Sequence, residues 1–227
     1  KNLKSKYSVS EIKHMSMEEN EDEASKVIAP ERTKAVPRFR KGVDEEVKGT
    51  LRGTAYHRFF EILNYDCCKD YNSIEEYLKA SVAAGKISEE YAGLINLKRF
   101  EEFLQTDLGK RMGSAYKKGL LFREQPFIME LGADMIDKEY PSDEKILVQG
   151  IVDAFFFEDD KVYIVDYKTD RVEQGKAGEK ALVERYHKQL ELYADTISRV
   201  TGKETGGCYI YSTCLKKEIL IESPSYT

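Results

Sequence analysis

This chain of 227 residues holds only four cysteines, and none stands in a C-x-x-C pair. Cys67 and Cys68 are adjacent and Cys208 is separated from Cys214 by five residues. Neither spacing suits a zinc or iron-sulphur site, so no iron-sulphur cluster is expected and the thiols read as reduced and structural, in a cytosolic (cytoplasmic) protein. No apolar run approaches the roughly 20 residues of a membrane span, and no secretory leader is present, so no membrane partner is expected. A G-x-x-x-x-G-K-[ST] loop is also missing, which places any nucleotide-driven motor outside these residues. Positive charge is not in excess: 36 Lys and Arg stand against 41 Asp and Glu, a net of −5. No global field therefore draws polyanions to the chain, although Lys110-Arg111 and Lys117-Lys118 form local basic patches. The first residue is Lys1 and not Met, from which the chain is read as an excised part of something longer. What is present, 41% hydrophobic and 34% charged residues, is the composition of one globular domain with a sizeable core.

Residues 14 to 47 are polar, carry the acidic run Glu18-Glu19-Asn20-Glu21-Asp22-Glu23 and show no sustained period, so they read as a flexible tether. Ahead of them, Tyr7-Ser8-Val9-Ser10-Glu11-Ile12 combines a helix-start serine with apolar anchors and reads as a docking segment. The division is thus 1-47 for docking segment and tether and 48-227 for the folded body. Gly53 to Leu63 opens a helix capped near Thr54, with Phe59, Phe60, Ile62 and Leu63 as its apolar side and His57 and Glu61 sharing a face. Residues 73 to 118 read as several short helices, started at Ser73 and Ser88, with Leu97, Phe100 and Phe103 at helical spacing. This helical insertion, about 64-119, reads mostly as architecture. From Leu120 the pattern turns to strands: LLFREQPFIMEL, KILVQGIVDAFFFE and KVYIVDYKTD. A long helix follows from about Lys180 to Val200, and GCYIYS is the last strand before a polar end. The order helix, three strands, helix, strand is an α/β sandwich with an antiparallel meander in its sheet and helices on its faces.

Residues 150 to 170, GIVDAFFFEDDKVYIVDYKTD, carry the chemistry. Two β-branched or aromatic runs flank the polar turn Glu158-Asp159-Asp160-Lys161, which reads as a β-hairpin. Asp153 leads one strand, and Asp166 and Lys168 end the next. Alternation puts Asp166 and Lys168 on one side and Tyr167 on the other. Asp166 follows four apolar residues, so its carboxylate ends a buried strand, where an unpaired charge is costly. Two carboxylates and one ammonium are neutralised when a cation joins them, and oxygen-rich sites of this kind suit Mg²⁺ or Mn²⁺. A lysine among carboxylates keeps its proton, which favours electrostatic help over general-base action.

With these residues the chain resembles the RecB-like branch of the PD-(D/E)XK nucleases, and most closely the C-terminal nuclease domains of AddA subunits in AddAB-type helicase-nucleases. The resemblance runs through KYSVSEIK, GTAYHRFFE, REQPF, GIVDAFFF with IVDYKTD, and ERYHKQLELYA, five motifs in order over nearly the whole chain. It implies a restriction-endonuclease-like αβββαβ core, a mixed sheet flanked by helices with a helical insertion. Carried over by position, His57, Asp153, Asp166 and the backbone carbonyl of Tyr167 are implied as metal ligands. Asp153, Asp166 and Lys168 are implied as catalytic, with Lys168 orienting or activating the attacking water. Glu124 either stands behind the ligands or simply pairs with Arg123. Gln189 and Tyr193, by spacing alone a core stripe with one buried amide, are implied to touch the nucleic-acid backbone or to brace Lys168.

The function implied is a Mg²⁺- or Mn²⁺-dependent deoxyribonuclease, exonuclease or endonuclease, within an ATP-dependent helicase-nuclease of double-strand-break repair and homologous recombination. Its partners would be DNA single strands or ends, helicase domains of the same polypeptide and a second, AddB-like subunit. One rival is an inactive nuclease fold kept as a DNA-binding or subunit-docking module, against which Asp153, Asp166 and Lys168 all speak. The other is a free-standing RecB-like exonuclease, against which the Lys1 start and the tether weigh.

Overall fold

Lys145–Glu158 and Lys161–Lys168 form the hairpin expected from their pattern, joined through Asp159 and Asp160 with φ of 48° and 64°. Glu158 pairs with Lys161 and the ladder runs back to Ala154 opposite Val165. A two-residue loop with both φ positive matches the right-handed twist of the flanking strands, and Asp tolerates that conformation better than most residues.

The computed structural model describes residues 6–9, 11, 12, 41–135, 141 and 143–221. In chain order they form β1 (Lys6–Ser8), α1 (Lys41–Ile62), α2 (Tyr71–Ala83), α3 (Glu89–Leu94), α4 (Leu97–Gln105), α5 (Asp107–Lys117), β2 (Leu121–Gly132), β3 (Lys145–Glu158), β4 (Lys161–Lys168), α6 (Lys176–Thr201), β5 (Thr205–Ser212) and β6 (Lys217–Ile221), with a 3₁₀ turn at Ala133–Met135. The long strand β3 organises the mixed sheet. Antiparallel β2 lies along it from Gly132↔Lys145 to Leu121↔Phe156 and takes one edge. The other edge is shared: β1 runs parallel to its start at Lys6↔Leu147, and β4 runs antiparallel to its end. Beyond β4 the sheet continues through parallel β5 to antiparallel β6.

Apolar side chains cover both faces. On one, α6 packs Leu182, Tyr186, Leu190 and Ile197 against Val162, Ile164 and Ile210, and the cluster extends to Tyr7, Val9 and Ile12 of the first segment. On the other, Phe59, Phe60, Phe100, Phe103 and Met112 of the first five helices pack against Phe156, Val165, Tyr167 and Tyr211. The result is a three-layer α/β/α arrangement. The insertion helices start where short polar side chains meet free amides: Asp70 forms a reciprocal capping box with Ser73, and Ser88, Asn96 and Thr106 cap α3, α4 and α5. Each such cap stabilises by about 1 kcal/mol. Leu97, Phe100 and Phe103 are the buried stripe of α4, as their spacing predicts. Gly109 lets α5 close on the end of α4, since a Cβ there would collide with the Phe103 carbonyl oxygen.

Several boundaries differ from the sequence reading. Helix α1 begins at Lys41, within the stretch read as tether, and Thr54 lies inside it, its hydroxyl donating to the Thr50 carbonyl instead of capping. A threonine before an apolar run suggests a cap, but the residues preceding Thr54 contain no helix breaker other than Gly49 and Gly53, and the helix runs back through them. Helix α6 likewise starts at Lys176, after Gly175 with φ 81°. The polar end contains a strand, β6, whose Lys217-Glu218-Ile219-Leu220-Ile221 is too short and too charged to stand out by alternation. Ser8 does start a helical turn, accepting from the Glu11 amide at 3.2 Å while Glu11 Oε2 accepts the Ser8 amide at 2.8 Å. The tyrosine before it, however, lies in strand β1. The acidic run 18–23 lies outside the described residues. Among the described residues no helix is long and apolar enough to cross a membrane.

Candidate active site

The ladder between β3 and β4 is last paired at Ala154 and Val165, and β4 then continues along β5 as far as Lys168↔Ser212. Asp153 and Asp166 are therefore the first residues of a fork. The fork is closed by a side chain: the Tyr167 amide donates to Asp153 Oδ2 at 2.8 Å. Alternation does the rest. Tyr167 turns to the helical side and stacks on Phe60 with centroids 3.9 Å apart and planes 1° from parallel. Asp166 and Lys168 turn to the α6 side, where Lys168 Nζ lies 2.6 Å from Asp166 Oδ2.

Around this pair α6 builds a brace. Gln189 Nε2 donates to Asp166 Oδ1 at 3.2 Å and to Tyr193 Oη at 2.8 Å. Tyr186 lies under the ammonium, its ring centroid 4.2 Å from Lys168 Nζ, and its hydroxyl donates to the Asp170 carboxylate, which also receives Arg185 at 2.7 Å. Gln189 and Tyr193 thus hold Asp166, the carboxylate that pairs with Lys168. The residue that braces Lys168 is Tyr186, visible in the sequence only as one more member of an apolar stripe.

On the open side of the fork stand His57 and Glu124. His57 comes from α1, with Nδ1 3.4 Å from Asp153 Oδ2. Glu124 comes from β2, where it sits opposite the fork with φ 48°, in the left-handed region that a non-glycine residue adopts at a cost of about 1–3 kcal/mol. One ligand atom from each of His57, Glu124 and Asp153 falls within 4.8 Å of the other two. Arg123 does not pair with Glu124. Its guanidinium donates to the Leu63 carbonyl at 2.6 Å and lies over the Tyr116 ring, because neighbouring strand residues face opposite sides. Of the residues expected as ligands, His57 and Asp153 are brought together with Glu124, while Asp166 is engaged by Lys168 and Gln189 one step deeper.

The electrostatics follow from this crowding. Burial pushes the Glu124 carboxyl up to about 7, with the Asp153 charge adding to it. Burial likewise raises Asp166 to about 6, against the pull of the Lys168 ammonium. Asp153 is held below the usual carboxylate range: burial opposes this, but the hydrogen bond and charge of His57 and the charge of Lys168 prevail. His57 is raised, burial being outweighed by Asp153. Lys168 is raised despite burial because Asp166 and Asp153 flank it, so it holds its proton. Fully deprotonated, with His57 neutral, the three carboxylates and one ammonium would sum to −2, and the raised Glu124, Asp166 and His57 retain protons that lessen this charge near neutral pH. One imidazole nitrogen and two carboxylates, beside a further buried carboxylate that Lys168 holds at 2.6 Å, form a donor set that fits a hard divalent cation.

The basic patch at Lys110-Arg111 is divided in its uses. Arg111 is structural, donating to Glu158 at 2.8 Å and to Tyr209 at 2.7 Å while covering the Tyr163 ring.

Residues 32–223 match the family model of the PD-(D/E)XK nuclease superfamily. The chain is 34% identical, over 97% of its length, to the A subunit of an ATP-dependent helicase/nuclease from Clostridium perfringens strain SM101. It is 36% identical over 92% of its length to the protein of the same name in Thermoanaerobacter sp. strain X514, and 31% identical over 89% to that of Lachnoclostridium phytofermentans. It spans 18%, 17% and 17% of these relatives' own lengths, less than a fifth of each.

Proposed function

This chain belongs to the PD-(D/E)XK nuclease superfamily, and we propose that it is a divalent-metal-dependent nuclease domain that hydrolyses DNA phosphodiesters within a larger helicase-nuclease. The observation that carries the proposal is the fork itself, where His57, Glu124 and Asp153 converge beside the buried Asp166–Lys168 pair.

His57, Glu124 and Asp153 would hold the ion, with Asp166 either completing the set or fixing the lysine beside it. When bound, a Mg²⁺ or Mn²⁺ ion supplies a Lewis acid that polarises the phosphoryl group and eases deprotonation of an attacking water. The remaining work falls to the chain. The Tyr167 amide fixes one oxygen of Asp153 and leaves the other for a ligand. Lys168, protonated and seated between Tyr186 and Asp166, offers a positioned positive charge to the phosphorane-like oxyanion and orients water toward phosphorus. The Gln189–Tyr193 pair keeps Asp166 in register, so that the ammonium does not collapse onto Asp153. The backbone carbonyl of Tyr167, at the mouth of the fork, is assigned as a further oxygen donor.

The names of the relatives support the wider setting. A helicase activity would reside in parts of the polypeptide beyond these 227 residues, an AddB-like partner would complete the assembly, and the whole would act in the cytoplasm on DNA ends and single strands in repair and recombination. The division into a docking segment and tether, 1-47, and a nuclease body, 48-227, belongs to the same proposal, with the body's first helix reaching back to Lys41. The test is cleavage of linear single-stranded and duplex DNA by the purified chain with Mg²⁺ or Mn²⁺, with Asp166→Ala as control. Metal-dependent cleavage lost in the variant supports the reading. Equal cleavage by both proteins places the hydrolytic groups outside the fork, and no cleavage by either leaves the fork a structural ion cluster in a binding module.

A further inference from the structure

Glu124 and His57 have a second side. Both also line an open pocket of about 390 Å³ between α1 and the turn that joins α2 to α3, together with Arg58, Lys86 and Tyr91. Such a volume is within the roughly 300–1,000 Å³ range of sites that take a small organic group. From this geometry we infer that the cavity is the subsite for the nucleotide next to the scissile phosphate, with Lys86 receiving its phosphate and the Tyr91 ring its sugar or base. The inference rests on the nuclease reading above and adds to it the part of the substrate that the helical insertion holds.

Three observations carry it. The first is continuity: two of the three candidate ligands also line it, so a strand whose phosphate sits at the fork can set its neighbouring nucleotide in this cavity. The second is charge. Arg58 is spent on Glu61 and on the Lys86 carbonyl at 2.8 Å, whereas the exposed Lys86 ammonium has no ion pair among the described residues. It is therefore an uncommitted cation beside a cluster rich in carboxylates, where a phosphate needs one. The third is preorganisation. Gly85 takes φ 69°, its amide donates to Val82, the Lys86 amide donates to Ser81 at 2.9 Å, and Ile87 is buried. The turn is thus anchored on both sides of Lys86 and spends little ordering entropy when a ligand arrives. Tyr91, half-buried against the helical core on one side of its ring, offers the other edge to the cavity. Base stacking on such a ring is worth about 1–3 kcal/mol and tolerates any sequence.

The experiment is steady-state cleavage of a single-stranded oligonucleotide by the full chain and by Lys86→Glu, Lys86→Arg and Tyr91→Ala, with Mn²⁺ affinity measured calorimetrically on each. The expected result is a rise in KM of about tenfold for Lys86→Glu and for Tyr91→Ala, with kcat and Mn²⁺ affinity unchanged and Lys86→Arg near wild type. The slope of log affinity against log salt should also fall by about one for Lys86→Glu. Unchanged KM and salt slope in Lys86→Glu, in a protein that cleaves, overturn the subsite and leave the nuclease reading intact. Absence of cleavage by the wild type overturns the nuclease reading. Anisotropy of a labelled oligonucleotide then decides the subsite alone, and it fails if Lys86→Glu binds as tightly as wild type with the same salt slope.

Discussion

Glu124 is the residue in which geometry and electrostatics meet. It is held at positive φ, half-buried, facing another carboxylate, and its pKa is pushed up to about 7. Asp166, raised to about 6, titrates in the same region. Both carboxyls, and the raised His57, take up protons on folding relative to their ordinary values, so the stability they contribute is present at low pH and lost as pH rises through their folded values. The depressed Asp153 works the other way, but its window lies below the ordinary carboxylate range. Metal-free protein should therefore lose stability between about pH 5 and pH 8, by roughly 1–2 kcal/mol once solvent access to Glu124 is allowed for, or about 3–6 °C in Tm. Thermal melts in chelator check this, and added Mg²⁺ should flatten or reverse the slope because the ion displaces those protons. A Tm that rises with pH in chelator contradicts the crowding. Substitutions separate the roles. Asp153→Asn should abolish metal-dependent cleavage while leaving the fold intact. Lys168→Ala should keep metal binding and lower kcat by on the order of 10²-fold or more. His57→Ala should first weaken metal affinity and recover with excess Mn²⁺. Calorimetry and rate measurements on the same three variants give the ranking, and a Lys168→Ala protein that loses its metal first would refute the assignment.

At the scale of elements, the hairpin of β3 and β4 is what makes two residues 13 apart in sequence into one site, and its turn is a place to test that. Asp160 sits at φ 64° and pairs with Lys203 across an exposed surface. Glycine relieves the positive φ by roughly 0.5–1 kcal/mol, whereas an exposed ion pair contributes about 0–1 kcal/mol and is screened by salt. Asp160→Gly should thus leave Tm nearly unchanged in dilute buffer and raise it by about 2 °C at high salt, with metal affinity untouched; a salt-independent loss of stability would mean that the pair outweighs the turn. This hairpin was legible in sequence because its signals are local: alternation, a polar turn of two aspartates and apolar runs of the right length. The αβββαβ order, the Asp166–Lys168 face and the α4 stripe were legible for the same reason. Other features depend on what lies across the sheet. Glu124 joins His57 only because the β2 register sets it opposite Asp153, and nothing in Arg123-Glu124-Gln125-Pro126 announces the positive φ. Tyr186 and Gln189 share a helical face whose spacing is the same whether they brace a lysine or an aspartate. Strand β6 owes its existence to the free edge of β5, and the true start of α1 to residues too polar to show a period.

The whole molecule carries a net charge of −5, and its fork gathers carboxylates where a phosphate must come closest. Long-range and local fields therefore both oppose a polyanion, and few counterions are released when one binds. Uncommitted cations such as Lys86 are too few to reverse this. Arg111, in the most obvious basic patch, is already consumed by Glu158 and Tyr209. Binding of DNA by the chain alone should accordingly be weak, with Kd in the micromolar range or above in about 150 mM salt, and should fall further on modest salt addition. A divalent ion at the fork cancels the charge of its ionised carboxylates, so non-hydrolysing conditions with Ca²⁺ should tighten binding by about tenfold or more over chelator, and Asp153→Asn should capture part of that gain without any metal. In the larger assembly, tethering to a domain that already holds the strand would supply the local concentration that the charge denies. Anisotropy titrations of single-stranded and duplex oligonucleotides in chelator, in Ca²⁺ and across a salt series decide the matter. Nanomolar, salt-insensitive binding in chelator would show that the chain grips DNA by surfaces other than the fork, and would favour a free-standing enzyme over a domain that depends on its neighbours.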